Sequence, residues 1–306
     1  MPQTEFLPSR LAGSCYAMNP DDLLSDWEHE IDRILSEGSF SDSPLPPVLI
    51  VPHIDFRVNL ELYTRTYARL AAAAKFPETV VILGVGHQCP HEFSIHPFGF
   101  ETVLGKIYPD LDSWGVLSNV CDFSLSNDPQ TFFGEHSIEF VAIWLETVRQ
   151  LYAADQPLKI LPVLCGGLFE HLHSGRIPSE QDEVYRLGKA LRTLYDQQLK
   201  GSTLIIVSID GCHVGPRFQH SFTGNRATQR SVRRWEADLW KQCHHHCYPA
   251  FFQHLASLTN CFYFDGVGAL SMILQHFPFQ SHIEKTELWY EQSDQSFVTF
   301  SAGWMA

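Results

Sequence analysis

Thr203 to His213 reads TLIIVSIDGCH. From Thr203 to Ile209 the residues are mostly branched and apolar, the pattern of a strand buried on both faces. The run stops at Asp210-Gly211, and a histidine follows at 213. In open α/β sheets, ligands bind outside the carboxyl ends of such strands, so the residues after each strand decide the chemistry. The same arrangement recurs along the chain. Pro47 to Val51 (PVLIV) leads into Pro52-His53-Ile54-Asp55, Thr79 to Leu83 (TVVIL) into Gly84-Val85-Gly86-His87, and Lys159 to Leu164 (KILPVL) into Gly166-Gly167. Cys261 to Phe264 reads as a fifth strand, followed by Asp265-Gly266, and Ser296 to Phe300 as an added edge strand. Helical periodicity marks Pro20 to Leu35, Val58 to Ala74, Ser137 to Leu151, Glu180 to Leu199, Arg226 to Cys247 and Gly266 to Gln275. Ser39 to Pro47 reads as a loop before the first core strand. The alternation predicts one α/β domain over residues 1–306, with a mostly parallel central sheet flanked by helices on both faces.

Composition narrows the partners. Lys and Arg number 21 against 35 Asp and Glu, a net charge of −14, which argues against nucleic acid and anionic membrane, since both need a basic surface. No apolar run approaches the roughly 18 residues of a membrane helix. Met1 to Phe6 has no basic, apolar leader pattern. The eight cysteines include no CxxC pair, so neither a zinc ribbon nor a disulfide scaffold is expected. A soluble protein of the reducing cytoplasm is the resulting expectation. P-loop, GxGxxG and GxSxG motifs are absent.

The sequence holds 16 histidines, nearly as many as its cations, so the question is which of them do chemistry. His or Asp stands at four of the five strand ends. Asp55, Asp210 and Asp265 have an alternative reading as helix caps, but histidine caps poorly. Two histidines and one carboxylate on three strand ends form the ligand set of a facial triad, which leaves positions on Fe(II) for substrate and O2. His53, His87 and Asp265 supply it, and Asp210 with His213 remain as a neighbouring acid/base pair. Cys243-His244-His245-His246-Cys247 is conspicuous, but successive helix residues point about 100° apart, so the three histidines cannot share one ion. That segment reads as an exposed polar helix end. Phe56, Trp114, Phe132, Phe133 and Phe218 are candidates for an apolar substrate pocket, with core packing as the default.

These segments resemble the Memo family, also called AmmeMemoRadiSam system protein B, which shares its fold with class III extradiol dioxygenases. Arg10 to Tyr16 (RLAGSCY) is similar to the family's AGSWY segment, Pro52 to Asp55 to its PHAG or PHID motif, and Leu83 to His87 (LGVGH) to LGPSH. Glu135 to Glu139 is EHSIE as the family has it, Pro162 to Leu168 (PVLCGGL) looks like PVLVGAL, and Ser208 to Phe218 (SIDGCHVGPRF) resembles SSDFCHWGQRF. The tail, with YEQS and FVTFSAGW, is similar to the family's closing segments. The resemblance implies a metal site at His53 and His87, with His213 as acid/base, Asp210 beside it and His136 drawn toward the pocket. The family's third ligand is commonly the cysteine of CGxxPI, and Asp265 falls on that position. An alternative alignment slips Cys261 there, at the cost of the match at Gly266. A carboxylate in place of a thiolate shifts preference toward Fe(II), with Mn, Zn or Cu as alternatives. The implied function is a non-heme Fe(II), dioxygenase-like oxidoreductase using O2 on a small molecule or modified peptide. The alternative is a Memo-type scaffold or peptide-binding adaptor without turnover. The family name also implies AMMECR-type and radical SAM partner proteins.

Overall fold

The computed structural model describes residues 5–38, 44–121, 123, 129–199 and 202–306. Its strands are β1 (Phe6–Pro8), β2 (Val48–Val51), β3 (Thr79–Val85), β4 (Phe93–Ile95), β5 (Gly99–Thr102), β6 (Gly105–Pro109), β7 (Lys159–Cys165), β8 (Thr203–Ser208), β9 (His213–Val214), β10 (Ser281–Glu291) and β11 (Ser296–Met305). Its α-helices are α1 (Pro20–Ser36), α2 (Leu60–Ala71), α3 (Leu111–Val120), α4 (His136–Tyr152), α5 (Phe169–Ser174), α6 (Glu183–Leu194), α7 (Arg226–His244), α8 (Tyr248–Ala256) and α9 (Val267–His276).

One sheet runs in the order β1-β5-β6-β7-β3-β8-β2-β11-β10, with β4 on β7 and β9 on β11. Its centre, β6-β7-β3-β8-β2, is parallel throughout. Strands β2 and β8 are buried at every position, as apolar strands covered on both faces must be. One face carries α6, α7, α8 and α9, whose apolar residues join Val81, Leu161 and Val207 in a single core. The other face carries α1, α2 and α4, packed on Leu49, Val80 and Leu204. The α/β architecture with helices on both faces is therefore as the strand pattern implies.

Three sequence expectations need correction. Cys261 to Phe264 is not a strand but a chain of turns. Thr259, Asn260 and Tyr263 all have positive φ, and the Asn260 amide side chain both donates to and accepts from the Phe264 backbone, which closes the segment on itself. Ser296–Met305 is no edge strand: it lies between β2 and β10, and the edge is β10. The helix expected over Arg226 to Cys247 ends at His244, three residues early, because His246 takes a left-handed conformation before α8 begins at Tyr248. Of the loop expected at Ser39 to Pro47, residues 39–43 lie outside the described residues, and 44–47 carry no helix or strand.

One aromatic cluster links the helical layer to the first strand-end turn. Helix α1 begins at Asn19, whose side chain accepts from the Asp21 and Asp22 amides, and it buries Leu23, Trp27, Ile31 and Ile34. Trp27 stacks on Trp144 of α4 at 3.9 Å between ring centroids and 11° between planes. Trp144 also stacks on Tyr67, and Phe56 packs edge-on against Trp27. Phe56 lies three residues after His53, so this cluster braces the turn that carries the histidine. Because Trp144 is fully buried, Trp144→Ala is expected to lower unfolding free energy by about 3–5 kcal/mol. Urea unfolding checks this, and a loss below about 1 kcal/mol would contradict the bracing role.

Candidate metal centre

The order β3-β8-β2 places three strand ends side by side, and with them His87, Asp210 and His53. Asp265 arrives from the turn before α9, and His136 is the first residue of α4. Every site residue expected from the sequence therefore converges on one region, at the carboxyl edge of the parallel sheet.

His53 is the hub. It is 1% exposed, and its Nδ1 lies 3.2 Å from the Ser208 carbonyl. A carbonyl only accepts, so Nδ1 carries the proton, and in the neutral ring Nε2 is a bare lone pair. That Nε2 sits 3.1 Å from Asp265 Oδ2 and 3.9 Å from Asp210 Oδ2, yet has no hydrogen bond of good geometry. Asp265 Oδ1 is likewise buried without a partner. Acceptors facing acceptors require a cation between them or a proton on the ring. Burial pulls the His53 pKa down, but Asp210, Asp265 and Glu135 outweigh it and push it up to about 9. Burial also opposes ionisation of Asp265, but His53 holds it below the ordinary carboxylate value.

His87 is fixed by Glu135, a residue the sequence reading did not single out. The Glu135 carboxylate accepts from the His87 amide at 3.0 Å and from Nδ1 at 2.9 Å, which leaves Nε2 as the donor atom toward an ion. Burial opposes ionisation of Glu135, but its bond to His87 holds the pKa below the usual value. The same carboxylate caps α4 through the Ser137 amide. A glutamate just ahead of the histidine that opens a helix is a capping signal, and EHSIE contained it. His136 is not the cap. Its ring stacks on His87 at 4.5 Å, and burial, reinforced by His53 and His87, drives its pKa down to about 3, so it stays neutral.

Two groups of side chains have ligand atoms all within 4.8 Å of one another: His53 with His87 and His136, and His53 with Asp210 and Asp265. His87 and Asp265, expected in one trio, thus meet through His53 and not in a single group. The capping alternative fails for Asp265, because α9 has no side-chain cap, and for Asp210, whose Oδ1 accepts from the His53 and Ile54 amides. Asp55 accepts from the Arg57 amide and pairs with its guanidinium.

His213 starts β9 beside β11, and its Nδ1 donates to the Tyr263 carbonyl at 3.2 Å. In the neutral ring Nε2 is then unprotonated, the tautomer of a general base. His53, His136, Asp210 and His213 line a cleft of about 880 Å³ with Phe218 and Trp289. Of the other aromatics, Phe56 and Phe132 are core residues and Phe133 is exposed. The 243–247 segment is not a metal group among the described residues: Cys243 is buried in the core, and His244 bonds the Ser281 carbonyl.

A family profile described as Memo-like protein matches residues 8–301. The chain belongs to the Memo-like family. A MEMO1 family protein from Aquifex aeolicus is 31% identical over 215 residues, covering 69% of this chain and 50% of that protein. Another from Thermus thermophilus is 30% identical over 214 residues, covering 69% and 56%. The chain thus spans about half the length of the curated relatives it matches. Among solved structures, uncharacterized protein JW3007 from Escherichia coli K12 overlaps 85% of this chain and 99% of its own, with a TM-score of 0.47 and 13% identity. No helix among the described residues is long and apolar enough to cross a membrane.

Glu139, the second glutamate of EHSIE, ties the N-terminal Memo-like segment to the cleft. It is buried and accepts from the Arg10 and Leu11 amides at 3.0 and 2.8 Å and from the Tyr16 hydroxyl at 2.7 Å. Leu11 and Cys15, between those anchors, line the cleft. Glu139→Leu leaves three donors without their charged acceptor and is expected to cost about 3 kcal/mol or more. Amide exchange at Arg10 and Leu11 should accelerate; unchanged exchange at both would rule out the tether.

Proposed function

We propose that this Memo-like chain binds Fe(II) through His53, His87 and Asp265, and that it is an O2-dependent, dioxygenase-like oxidoreductase acting on a small molecule or modified peptide. The carrying observation is the pair of lone-pair atoms at the hub. In the neutral ring His53 Nε2 faces Asp265 Oδ2 at 3.1 Å as a lone pair, a position that only a cation or a ring proton can balance. Neutral imidazoles and a carboxylate suit a hard-to-borderline divalent ion, which favours Fe(II) or Mn(II) over the Cu(I) that a thiolate would favour. Bound Fe(II) would supply the electron exchange between an organic substrate and O2. The chain's own part is orientation and proton transfer. Glu135 and Ser208 fix which nitrogen of each histidine faces the ion, while Asp210 pins the His53 turn. His213 Nε2 takes or returns a proton at the substrate, and Phe218 and Trp289 provide apolar cleft wall. AMMECR-type and radical SAM proteins are the partners to test first.

Metal analysis of anaerobically purified protein should find Fe(II), and His53→Ala and Asp265→Ala should each lower occupancy about tenfold or more. Full occupancy in both variants would sink the reading. His136→Ala separates the two side-chain groups: it should keep the ion if Asp265 is the third ligand and lose it if the three histidines bind. With catechol as the probe, O2 uptake should depend on Fe(II) and fall by about 10²–10⁴ in His213→Gln. Metal binding without O2 uptake, together with peptide binding that survives His213→Gln, would favour the scaffold reading.

A further inference from the structure

We propose that Glu236 is a positioning residue for the turn from Asp210 to His213, holding it through Thr299. The proposal rests on the metal-site reading above, since it concerns how that site is kept in shape. Glu236 lies on α7 and is 1% exposed, and neither carboxylate oxygen has a hydrogen bond of good geometry. Thr299 and Trp240 are its neighbouring donors, and Trp240 Nε1, one helical turn on, is also buried without a partner. Burial pushes the Glu236 pKa up to about 7, and Asp265 adds to the rise. An apolar side chain would fill this place at lower cost than a carboxyl group. The expense is explained by what the carboxyl touches.

A Cβ at Gly211 would lie 2.3 Å from Glu236 Oε1 and 2.3 Å from Thr299 Oγ1, so both oxygens border the space over Gly211 that a side chain would fill. Thr299 is the partner of the two middle residues of the turn, Gly211 and Cys212. Its carbonyl accepts from the Gly211 amide at 2.6 Å, its Oγ1 from the Cys212 amide at 2.7 Å, and its own amide donates to the Cys212 carbonyl at 3.0 Å. With Oγ1 already accepting, the Thr299 hydroxyl proton is available to donate, and the nearby Glu236 carboxyl, though outside good hydrogen-bond geometry, is the acceptor the proposal assigns to it. That orients the hydroxyl so that its lone pair meets Cys212. The turn thus held carries Asp210 on one side and His213 on the other, and the Gly211 carbonyl in turn accepts from the Asp265 amide.

Co(II) is the probe, with affinity measured by competition with a chromophoric chelator and ligand geometry read from the visible spectrum. Glu236→Leu removes the acceptor and should weaken Co(II) binding about tenfold or more with an altered spectrum, while Glu236→Gln, which still accepts from Thr299, should restore both. Amide exchange at Gly211 and Cys212 in metal-free protein should accelerate in Glu236→Leu and return to the parent rate in Glu236→Gln. If Glu236→Leu does not fold, Glu236→Met carries the same expectations, since it too lacks the acceptor oxygen while leaving the Thr299 hydroxyl in place. Parent-like exchange together with parent-like Co(II) affinity in the apolar variant overturns the proposal. If the parent binds no Co(II), the metal-site reading falls, and the exchange rates alone decide the role of Glu236.

Discussion

The site depends on a single constraint: the Ser208 carbonyl takes the proton of His53 Nδ1 and so turns Nε2, as a lone pair, toward the Asp265 carboxylate. Without an ion, the arrangement is stable only if the ring gains a proton, which the surrounding carboxylates favour. With an ion, the same carboxylates become ligands or a compensating field. Both states use the same atoms, so the fold need not rearrange to accept a cation. This preorganisation rests on backbone and on buried carboxylates, both of which the sheet holds rigidly.

The supports around the hub repeat one device. Each histidine has one ring nitrogen engaged by an oxygen that can only accept: Ser208 carbonyl for His53, Glu135 carboxylate for His87, Tyr263 carbonyl for His213. In the neutral ring the remaining nitrogen is thereby fixed as a lone pair. Two of these oxygens are backbone carbonyls, presented by the end of β8 and by the turns between α8 and α9. The positive φ values at Thr259, Asn260 and Tyr263 gain their meaning here, because a regular strand at 261–264 would aim its carbonyls into a ladder and not at His213.

Much of this was legible in the sequence, and the boundary has a physical cause. Apolar runs that end in Gly, Pro, His and Asp located four of the strand ends, because burial on both faces leaves a strong local signal. Cys261 to Phe264 deceived the same reasoning: a short apolar run is also what a buried turn looks like, and nothing local reveals that Asn260 closes it. Asp265 was reached through that mistaken strand end and through the family's CGxxPI position, and the structure sets it beside His53 all the same. Glu135 was quoted within EHSIE yet passed over, because its partner His87 lies 48 residues away and a carboxylate's long-range partner leaves no trace in spacing. Glu236 was invisible for the same reason, on a helix face whose buried side otherwise reads as ordinary core.

His53 belongs to both ligand groups, and this argues about their division of labour. The histidine group offers neutral donors only, while the other adds two carboxylates. An ion held by three neutral imidazoles would leave Asp210 and Asp265 buried, adjacent and mutually repelling, with His53 their common nearby cation only when protonated. An ion that engages Asp265 relieves that repulsion and also uses the otherwise unpartnered Oδ1 of that residue. The electrostatics of the buried acids, more than the count of histidines, therefore supports the proposal of Asp265 as third ligand, with His136 as a neutral wall of the cleft.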